Sequence, residues 1–286
     1  MIILIIKLIV KQLTIKQRYI YDIINKEVMF MKSMEQTLEY HELLMTLDDT
    51  SKYGSYELPE GFSYEFYKEG DINDWVNIHI SSGEFIKESY GIKVFHDFYD
   101  SFINELPKRC FFVVNNKGEK VGTATISKLK EPEYGYETVV DWFAIKKEYQ
   151  GYHLSKPMIN RFIKLANDLG YNKILLHTQT HTWLAAKLYL DLGFEPFNIN
   201  EDIKGWKILK TITNHPKLTN INTIPKEDMY FDIALKVVNE LDKIYGKDNY
   251  EYSIWYKDGR NDVEVRYHNQ VFDYKYYNEN PFRLEK

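Results

Sequence analysis

The fold of this chain is decided by residues 141–197, DWFAIKKEYQGYHLSKPMINRFIKLANDLGYNKILLHTQTHTWLAAKLYLDLGFEPF. An apolar strand pattern at the start of this stretch leads into a polar loop and then into a helix with marked ends. A second short strand and a second helix follow. Because a helix with one broad apolar face must cover a sheet, this order of elements predicts an α/β fold.

The first helix of this stretch carries sequence signals at both ends. Ser155 is predicted as its N-cap, Pro157 falls in its first turn, and Gly170 follows as its C-cap. Its apolar face is formed by Met158, Ile159, Phe162, Ile163, Leu165, Ala166 and Leu169. The next elements are a strand over 173–179 and a helix over 182–192.

The strand that opens the stretch is predicted over residues 138–145. Simple alternation places Val139, Asp141, Phe143 and Ile145 on one face, and Val140, Trp142 and Ala144 on the other. Both faces are largely apolar, which is typical of a central strand covered on both sides. Asp141 is therefore predicted to be a carboxylate within or at the edge of the sheet interior.

The remaining elements complete a mixed sheet flanked by helices. They are a strand or short helix over 38–47, a strand over 62–67, a helix from the N-cap Asp71 to 80, a helix over 92–106, a hairpin around the turn 115–118, and a strand over 206–212. Beyond them, a helix over 226–245 and strands over 250–256, 262–268 and 271–277 follow, the first two strands flanking the turn Asp258-Gly259. We expect a core domain over 34–214, with residues 1–33 as an extension and 215–286 as a small α+β appendage, a helix plus a β-meander.

Composition excludes several classes of function. The chain has 286 residues and a formal net charge of −5, which gives no support to nucleic acid or an anionic membrane as a partner. Its one cysteine, Cys110, precedes the apolar run FFVV and is predicted as a small buried hydrophobe in a cytoplasmic protein. The apolar start, MIILIIKLIV, is shorter than the about 20 residues that span a bilayer.

The loop KKEYQGYHLS, between the first strand and the first helix, leads to a helix N-terminus, where free N–H groups and the helix dipole attract anions. An ordinary strand-to-helix connection is the alternative. Two linked motifs decide between them. Gln150-Gly151-Tyr152-His153-Leu154-Ser155 resembles the Q/R-x-x-G-x-G/A loop of the GNAT superfamily of N-acetyltransferases, with His153 and Ser155 replacing its small residues. Leu188–Phe194, LYLDLGF, resembles the family's L-Y-x-x-x-G-F helix.

This resemblance covers roughly residues 62–212 and implies acetyl-CoA as co-substrate and no metal. The implied cofactor contacts are Phe143, Ala144 and Ile145 through their backbone, the loop residues Gln150, Gly151, Tyr152, His153, Leu154, Ser155 and Lys156, and Thr182, which stands where the family often has asparagine. His153 either crowds the loop or donates a ring N–H to the pyrophosphate. His177 and His181 straddle a strand end and are not expected to bind metal.

The family's usual acid is a tyrosine that protonates the departing thiolate, and Tyr189 matches it. Asp141 is the preferred base and Glu137 the second choice, with ordered water or a merely buried carboxylate as alternatives. The predicted reaction is acetyl transfer to a primary amine, on a small molecule or a peptide, by direct attack in a ternary complex. A non-catalytic acyl-CoA-binding or partner-binding module is the alternative, and a tyrosine-rich tail that forms a homodimer is a third interpretation.

Overall fold

The computed structural model describes residues 38–84, 88–247, 249–254, 262–268 and 270–286. Contacts between Cα atoms divide this part of the chain into two compact units, with the division after Leu235. The first unit contains the central sheet and the second contains the C-terminal strands. Within the described residues, no helix combines the length and apolar content needed to cross a bilayer.

The first unit is built on a seven-stranded sheet in the order β2-β3-β4-β5-β6-β1-β7. Its strands are β1 (Glu42–Leu47), β2 (Phe62–Phe66), β3 (Cys110–Asn115), β4 (Lys120–Glu133), β5 (Tyr136–Ile145), β6 (Ile174–Gln179) and β7 (Glu195–Phe197). Neighbours are antiparallel except β5 and β6, which are parallel. The predicted mixed sheet is confirmed, with β5 at its centre.

Helices cover both faces of this sheet. They are α1 (Ile72–Ser82), α2 (Glu88–Tyr99), α3 (Leu106–Arg109), α4 (Ser155–Asp168), α5 (Trp183–Asp191) and α6 (Ile203–Thr213). A further helix, α7 (Asp232–Tyr245), contains the division between the two units. Short 3-10 turns occupy Asp100–Glu105, Lys147–Tyr149, Thr180–Thr182, Ile199–Asp202, Pro216–Leu218 and Lys226–Met229. The second predicted helix is therefore shorter than expected, because the chain tightens into a 3-10 turn at Asp100.

Helix α4 packs on one face of the sheet through the apolar stripe predicted for it. Met158, Ile159, Phe162 and Ala166 are fully buried in one core cluster with Val140, Ile126 and Leu176 of the sheet. Its start differs by one position from the prediction. Leu154 is the N-cap, Ser155 is the first helical residue, and no side chain caps the helix. Gly170 closes the other end with a φ of 87°, as its predicted role requires.

Helices α1 and α2 cover the opposite face. The phenol of Tyr99 in α2 donates a hydrogen bond to Thr125 Oγ1 at 3.0 Å, and both residues are fully buried. Thr125 is the cross-strand partner of Asp141, so Asp141 faces these helices. Cys110 is buried as predicted, and burial raises the pKa of its thiol to about 11.

The strand predicted over 206–212 was wrong, because these residues lie in helix α6. The carboxylate of Asp202 accepts a hydrogen bond from the Gly205 N–H as a helix N-cap, and Asn214 ends the helix with a φ of 44°. Trp206 and Leu209, three positions apart, are buried on one face. The apolar residues of this short run fit strand alternation as well as helical spacing, and the caps at its two ends identify it as a helix.

The C-terminal unit contains a four-stranded antiparallel sheet in the order β11-β10-β9-β8. Its strands are β8 (Glu251–Ile254), β9 (Asp262–Tyr267), β10 (Gln270–Tyr277) and β11 (Arg283–Glu285). The Asp258-Gly259 turn lies outside the described residues. The division after Leu235 differs from the boundary predicted after residue 214, because Leu218 is fully buried in the core of the first unit and Met229 packs with Leu38.

Gly205 brings α6 into close contact with β1. A Cβ at this position would lie 2.5 Å from His41 Cβ and 3.0 Å from Leu43 Cδ2. We therefore expect Gly205→Ala to lower the free energy of unfolding by about 2 kcal/mol, although alanine normally favours a helix. Urea denaturation measures this, with Lys210→Ala in the same helix as a control expected within about 0.5 kcal/mol of wild type. A more stable Gly205→Ala protein would contradict this close packing.

Candidate active site

Strands β5 and β6 separate in the middle of the sheet. Their pairing comprises Val139 with Leu175 and Val140 with Leu176, whereas β5 continues to Ile145 and β6 to Gln179. The β6-facing backbone edge of residues 141–145 is therefore open. We call this opening the splay. It includes Phe143, Ala144 and Ile145, the residues predicted to offer backbone groups to the cofactor.

A β-bulge lies at the mouth of the splay. Thr123 pairs with Ala144 and Thr125 with Asp141, so β5 advances three residues while β4 advances two. Trp142 takes up the extra residue in a left-handed conformation, with a φ of 52°. Such a backbone costs about 1–3 kcal/mol for a bulky residue, and it persists only where the surrounding structure enforces it.

The bulge corrects the predicted faces of β5. Phe143 contacts the ring of Phe162 in α4, with centroids 6.1 Å apart, while Asp141 faces α1 and α2 through its partner Thr125. Asp141 and Phe143 therefore lie on opposite faces, and the prediction that they share one was wrong. Simple alternation fails here because the extra residue inverts the order of faces.

Tyr189 lies on the α4 side of the splay. Its ring centroid is 6.1 Å from that of Phe143 and 5.7 Å from that of Phe194, and the residue is 4 % exposed. Burial, followed by the negative charge of Glu84, raises the pKa of the phenol well above its usual value. The phenol therefore stays protonated at neutral pH and is available as a hydrogen-bond donor.

Glu84 is a site residue that the sequence did not reveal. It follows Gly83 at the end of α1, in a position without a motif, and its N–H donates to His79 O at 2.8 Å. Although the residue is only half-buried, desolvation of its carboxyl group raises the pKa to about 7. Its negative charge contributes to the raised pKa of Tyr189, so the two side chains interact electrostatically.

The two predicted bases are placed differently. Asp141 is 8 % exposed and is the first residue of β5 beyond its last pair with β6. Glu137 is exposed and lies four residues earlier, about 13 Å along the strand. The structure therefore brings Asp141 to the splay but leaves Glu137 away from it. Within the described residues, no group of three or more side chains forms a metal site.

The loop before α4 has the backbone of a tight turn. Gly151 and His153 have φ values of 88° and 61°, Tyr152, His153 and Lys156 are exposed, and Leu154 is buried. The exposed ring of His153 does not crowd the loop, although its backbone adopts the conformation that glycine favours. Gln150 donates from Nε2 to Ile145 O at 3.3 Å, which ties the loop to the end of β5. Thr182 instead hydrogen-bonds to Gln179 at the start of α5.

Residues 72–194 match the model of the Acetyltransferase (GNAT) family. Residues 72–194 therefore form a GNAT-family domain. This GNAT domain is similar to N-acetyltransferase 8B of Rattus norvegicus, 29 % identical over 30 % of this chain and 39 % of that protein, and to N-acetyltransferase 8B of Mus musculus, 26 % identical over 35 % and 43 %. The matched part thus spans less than half of either relative.

Two solved structures also align with part of this chain. A GCN5-related N-acetyltransferase from Sphaerobacter thermophilus aligns with a TM-score of 0.46 and 12 % identity over 59 % of this chain and 50 % of that one. A predicted acetyltransferase with acetyl-CoA from Clostridium acetobutylicum aligns with a TM-score of 0.37 and 18 % identity over 48 % of this chain and 92 % of that one.

The raised pKa of Glu84 gives a pH-dependent stability. Folding raises the pKa of this carboxyl group from 4.5 to about 7. The group therefore destabilises the folded protein at a pH above about 7, where it is ionised, and has no such effect at a pH below 4.5, where it is protonated in both states. We expect Glu84→Gln to stabilise the protein by about 2 kcal/mol at pH 8, after allowance for partial exposure, and by little at pH 4.5. Thermal unfolding at both pH values tests this. A stabilisation that does not change with pH would contradict it.

Proposed function

We propose that the GNAT domain transfers the acetyl group of acetyl-CoA to a primary amine by direct attack in a ternary complex. The observation that supports this best is the splay, which has Tyr189 on one face and Asp141 on the other. An acid for the leaving group and a carboxylate for the incoming amine are thus separated by open strand backbone. A thioester bound beside Tyr189 and an amine bound beside Asp141 would therefore meet at this open backbone.

The same geometry supports acetyl-CoA as co-substrate. The open backbone of residues 143–145 offers hydrogen bonds to an extended chain such as pantetheine, and the loop over 150–156 leads to the N-terminus of α4. Backbone N–H groups at a helix N-terminus, with the positive end of its dipole, suit a pyrophosphate. His153 and Lys156, both exposed, add donors beside that position.

In the proposed reaction the amine attacks the thioester carbonyl carbon, and backbone N–H groups at the splay stabilise the oxyanion. The carbon–sulfur bond then breaks, and the phenol of Tyr189 protonates the thiolate. An amine with an ordinary pKa of about 10.4 is mostly protonated at pH 7, so it must lose a proton before or during attack. Asp141, from the opposite face, is positioned to attract the ammonium group.

Release of free thiol from acetyl-CoA in the presence of a panel of primary amines tests this function. Calorimetry with acetyl-CoA and with desulfo-CoA measures cofactor binding separately. Binding together with amine-dependent thiol release is the expected result. Binding without thiol release from any amine would instead favour a non-catalytic acyl-CoA-binding module, and absence of binding would contradict both functions.

A further inference from the structure

Two aromatic residues lie together beside Asp141 at the mouth of the splay. Trp142 is the bulged residue that follows it, and the ring centroid of Trp142 is 5.1 Å from that of Phe98 in α2. Both Trp142 and Phe98 are half-buried, so part of each residue is accessible to a bound molecule. We call these two residues the aromatic wall.

Buried rings hold the aromatic wall in place. The ring centroids of Trp75 and His79, both in α1, lie 5.5 Å and 5.3 Å from that of Trp142. Neither residue is exposed to solvent. Because Trp142 is packed against rings that are themselves buried, the aromatic wall is formed before any ligand binds, which lowers the entropy cost of binding.

The aromatic wall and the Asp141 carboxylate lie on the same face of the sheet. Asp141 faces α1 and α2 through its partner Thr125, to which Tyr99 of α2 is hydrogen-bonded. The ring of Trp142 contacts the same two helices. The bulge thus brings a carboxylate and an indole that are consecutive in sequence to one face, whereas strict alternation would have separated them.

A second carboxylate lies at the end of α1. The N–H of Glu84 donates to His79 O at 2.8 Å, and the ring of His79 contacts that of Trp142. Burial raises the pKa of the Glu84 carboxyl group, and among the described residues no hydrogen bond or cation lowers it. The ionised group therefore favours a cationic ligand near the aromatic wall and disfavours an anionic one.

An amine that attacks a thioester bound at the splay must approach the aromatic wall. The open backbone of residues 141–145 includes Trp142 itself, and Tyr189 occupies the other face. The attacking nitrogen comes within bonding distance of a carbonyl carbon held at this backbone. An amine that enters from the face of Asp141 therefore brings the group attached to its nitrogen beside Trp142 and Phe98.

We propose that the acceptor is a hydrophobic primary amine, an arylalkylamine without a carboxylate, whose ammonium group pairs with Asp141 and whose apolar group packs against the aromatic wall. This inference rests on the proposed acetyl transfer and names the substrate class of that reaction. Trp142 and Phe98 determine specificity and take no part in proton transfer. Acetylation of such an ammonium ion yields the amide, the free thiol of coenzyme A and one proton, which leaves to solvent.

The test compares kcat/KM at pH 8 for four amines by release of free thiol. 2-Phenylethylamine carries an aromatic ring, ethanolamine has a hydroxyl group in its place, phenylalanine adds a carboxylate to 2-phenylethylamine, and spermidine is an extended polycation. We expect 2-phenylethylamine to exceed ethanolamine and spermidine by at least about 20-fold, because its ring is removed from water. Phenylalanine should react at least about tenfold less well than 2-phenylethylamine, since its carboxylate meets Asp141 and Glu84.

Substitution of the aromatic wall tests where the ring of the amine binds. Phe98→Ala should lower the ratio of kcat/KM for 2-phenylethylamine to that for ethanolamine by at least about fivefold, while ethanolamine changes by less than about threefold. Phe197→Ala is the matched control, expected to leave the ratio unchanged, because this half-buried ring lies on edge strand β7 against Tyr134 and Tyr136. Thermal unfolding checks each variant, and Phe98→Leu, with at least about a twofold fall in the ratio, replaces an alanine variant that does not fold.

The possible results separate the substrate class from the reaction. Thiol release with equal kcat/KM for 2-phenylethylamine and ethanolamine, or a preference for phenylalanine or spermidine, would reject the hydrophobic acceptor and leave acetyl transfer intact. A preference for 2-phenylethylamine that Phe98→Ala and Phe98→Leu both leave unchanged would reject the aromatic wall as its binding surface. No thiol release with any amine would reject acetyl transfer and the substrate class together.

Discussion

Replacement of Tyr189 by phenylalanine is expected to lower kcat by about 100-fold while KM for acetyl-CoA changes by less than about threefold. Phenylalanine keeps the ring contacts with Phe143 and Phe194 but removes the hydroxyl group. The departing thiolate would then have no phenol to protonate it. Steady-state thiol release at several acetyl-CoA concentrations, with saturating amine, separates the two parameters.

A matched control is Tyr171→Phe. Tyr171 follows α4, and its hydroxyl accepts a hydrogen bond from Arg109 at 3.2 Å. This variant should turn over at the wild-type rate. Unchanged turnover in Tyr189→Phe would remove the acid role, and a rise in KM without a fall in kcat would assign Tyr189 to binding alone.

The second large effect is expected on stability. Phe162 is fully buried at the centre of α4, with its ring centroid 6.1 Å from Phe143 and from Phe194 and 6.4 Å from Tyr189. Phe162→Ala should lower the free energy of unfolding by about 3–5 kcal/mol, because it removes buried apolar surface and leaves a cavity. Urea denaturation, read as a change in midpoint at constant slope, measures this loss.

Phe162→Leu is the corresponding control, with an expected loss of less than about 1.5 kcal/mol, since most of the volume is kept. The ring of Phe162 also contacts those of Tyr189 and Phe143. The alanine variant should therefore lose activity even at temperatures where it is still folded. A loss near 1 kcal/mol for Phe162→Ala would mean that the core collapses around the substitution and that α4 is packed less tightly than the contacts indicate.

Local signals predicted most elements of the first unit. The buried stripe of α4, the turn around Gly118 and the short strand β6 follow from periodicity and turn chemistry, because each depends on residues close in sequence. The same reasoning failed for α6. Over this short run, its apolar residues fit both the period of a strand and the period of a helix. The caps at Asp202 and Asn214 identify the helix, but they depend on backbone geometry.

The candidate site was predicted less completely than the fold. Tyr189 and the loop around Gly151 could be predicted because they form short motifs, and their roles remain proposals. The inverted faces around Trp142 could not be predicted, since a bulge depends on how β4 and β5 pair. Glu84 carries no motif, and its raised pKa depends on the protein packed around its carboxyl group.

The sequence by itself determined the order of strands and helices around residues 141–197 and the motifs that point to acetyl-CoA. These properties depend on spacing along the chain, where side-chain period and helix caps act over a few residues. Only the tertiary structure decided that β5 and β6 separate after Val140, that Asp141 and Phe143 face opposite ways, and that His177 lies between Glu42 and Glu133. Each of these depends on strand register and on contacts between residues tens to more than a hundred positions apart, which no local pattern records.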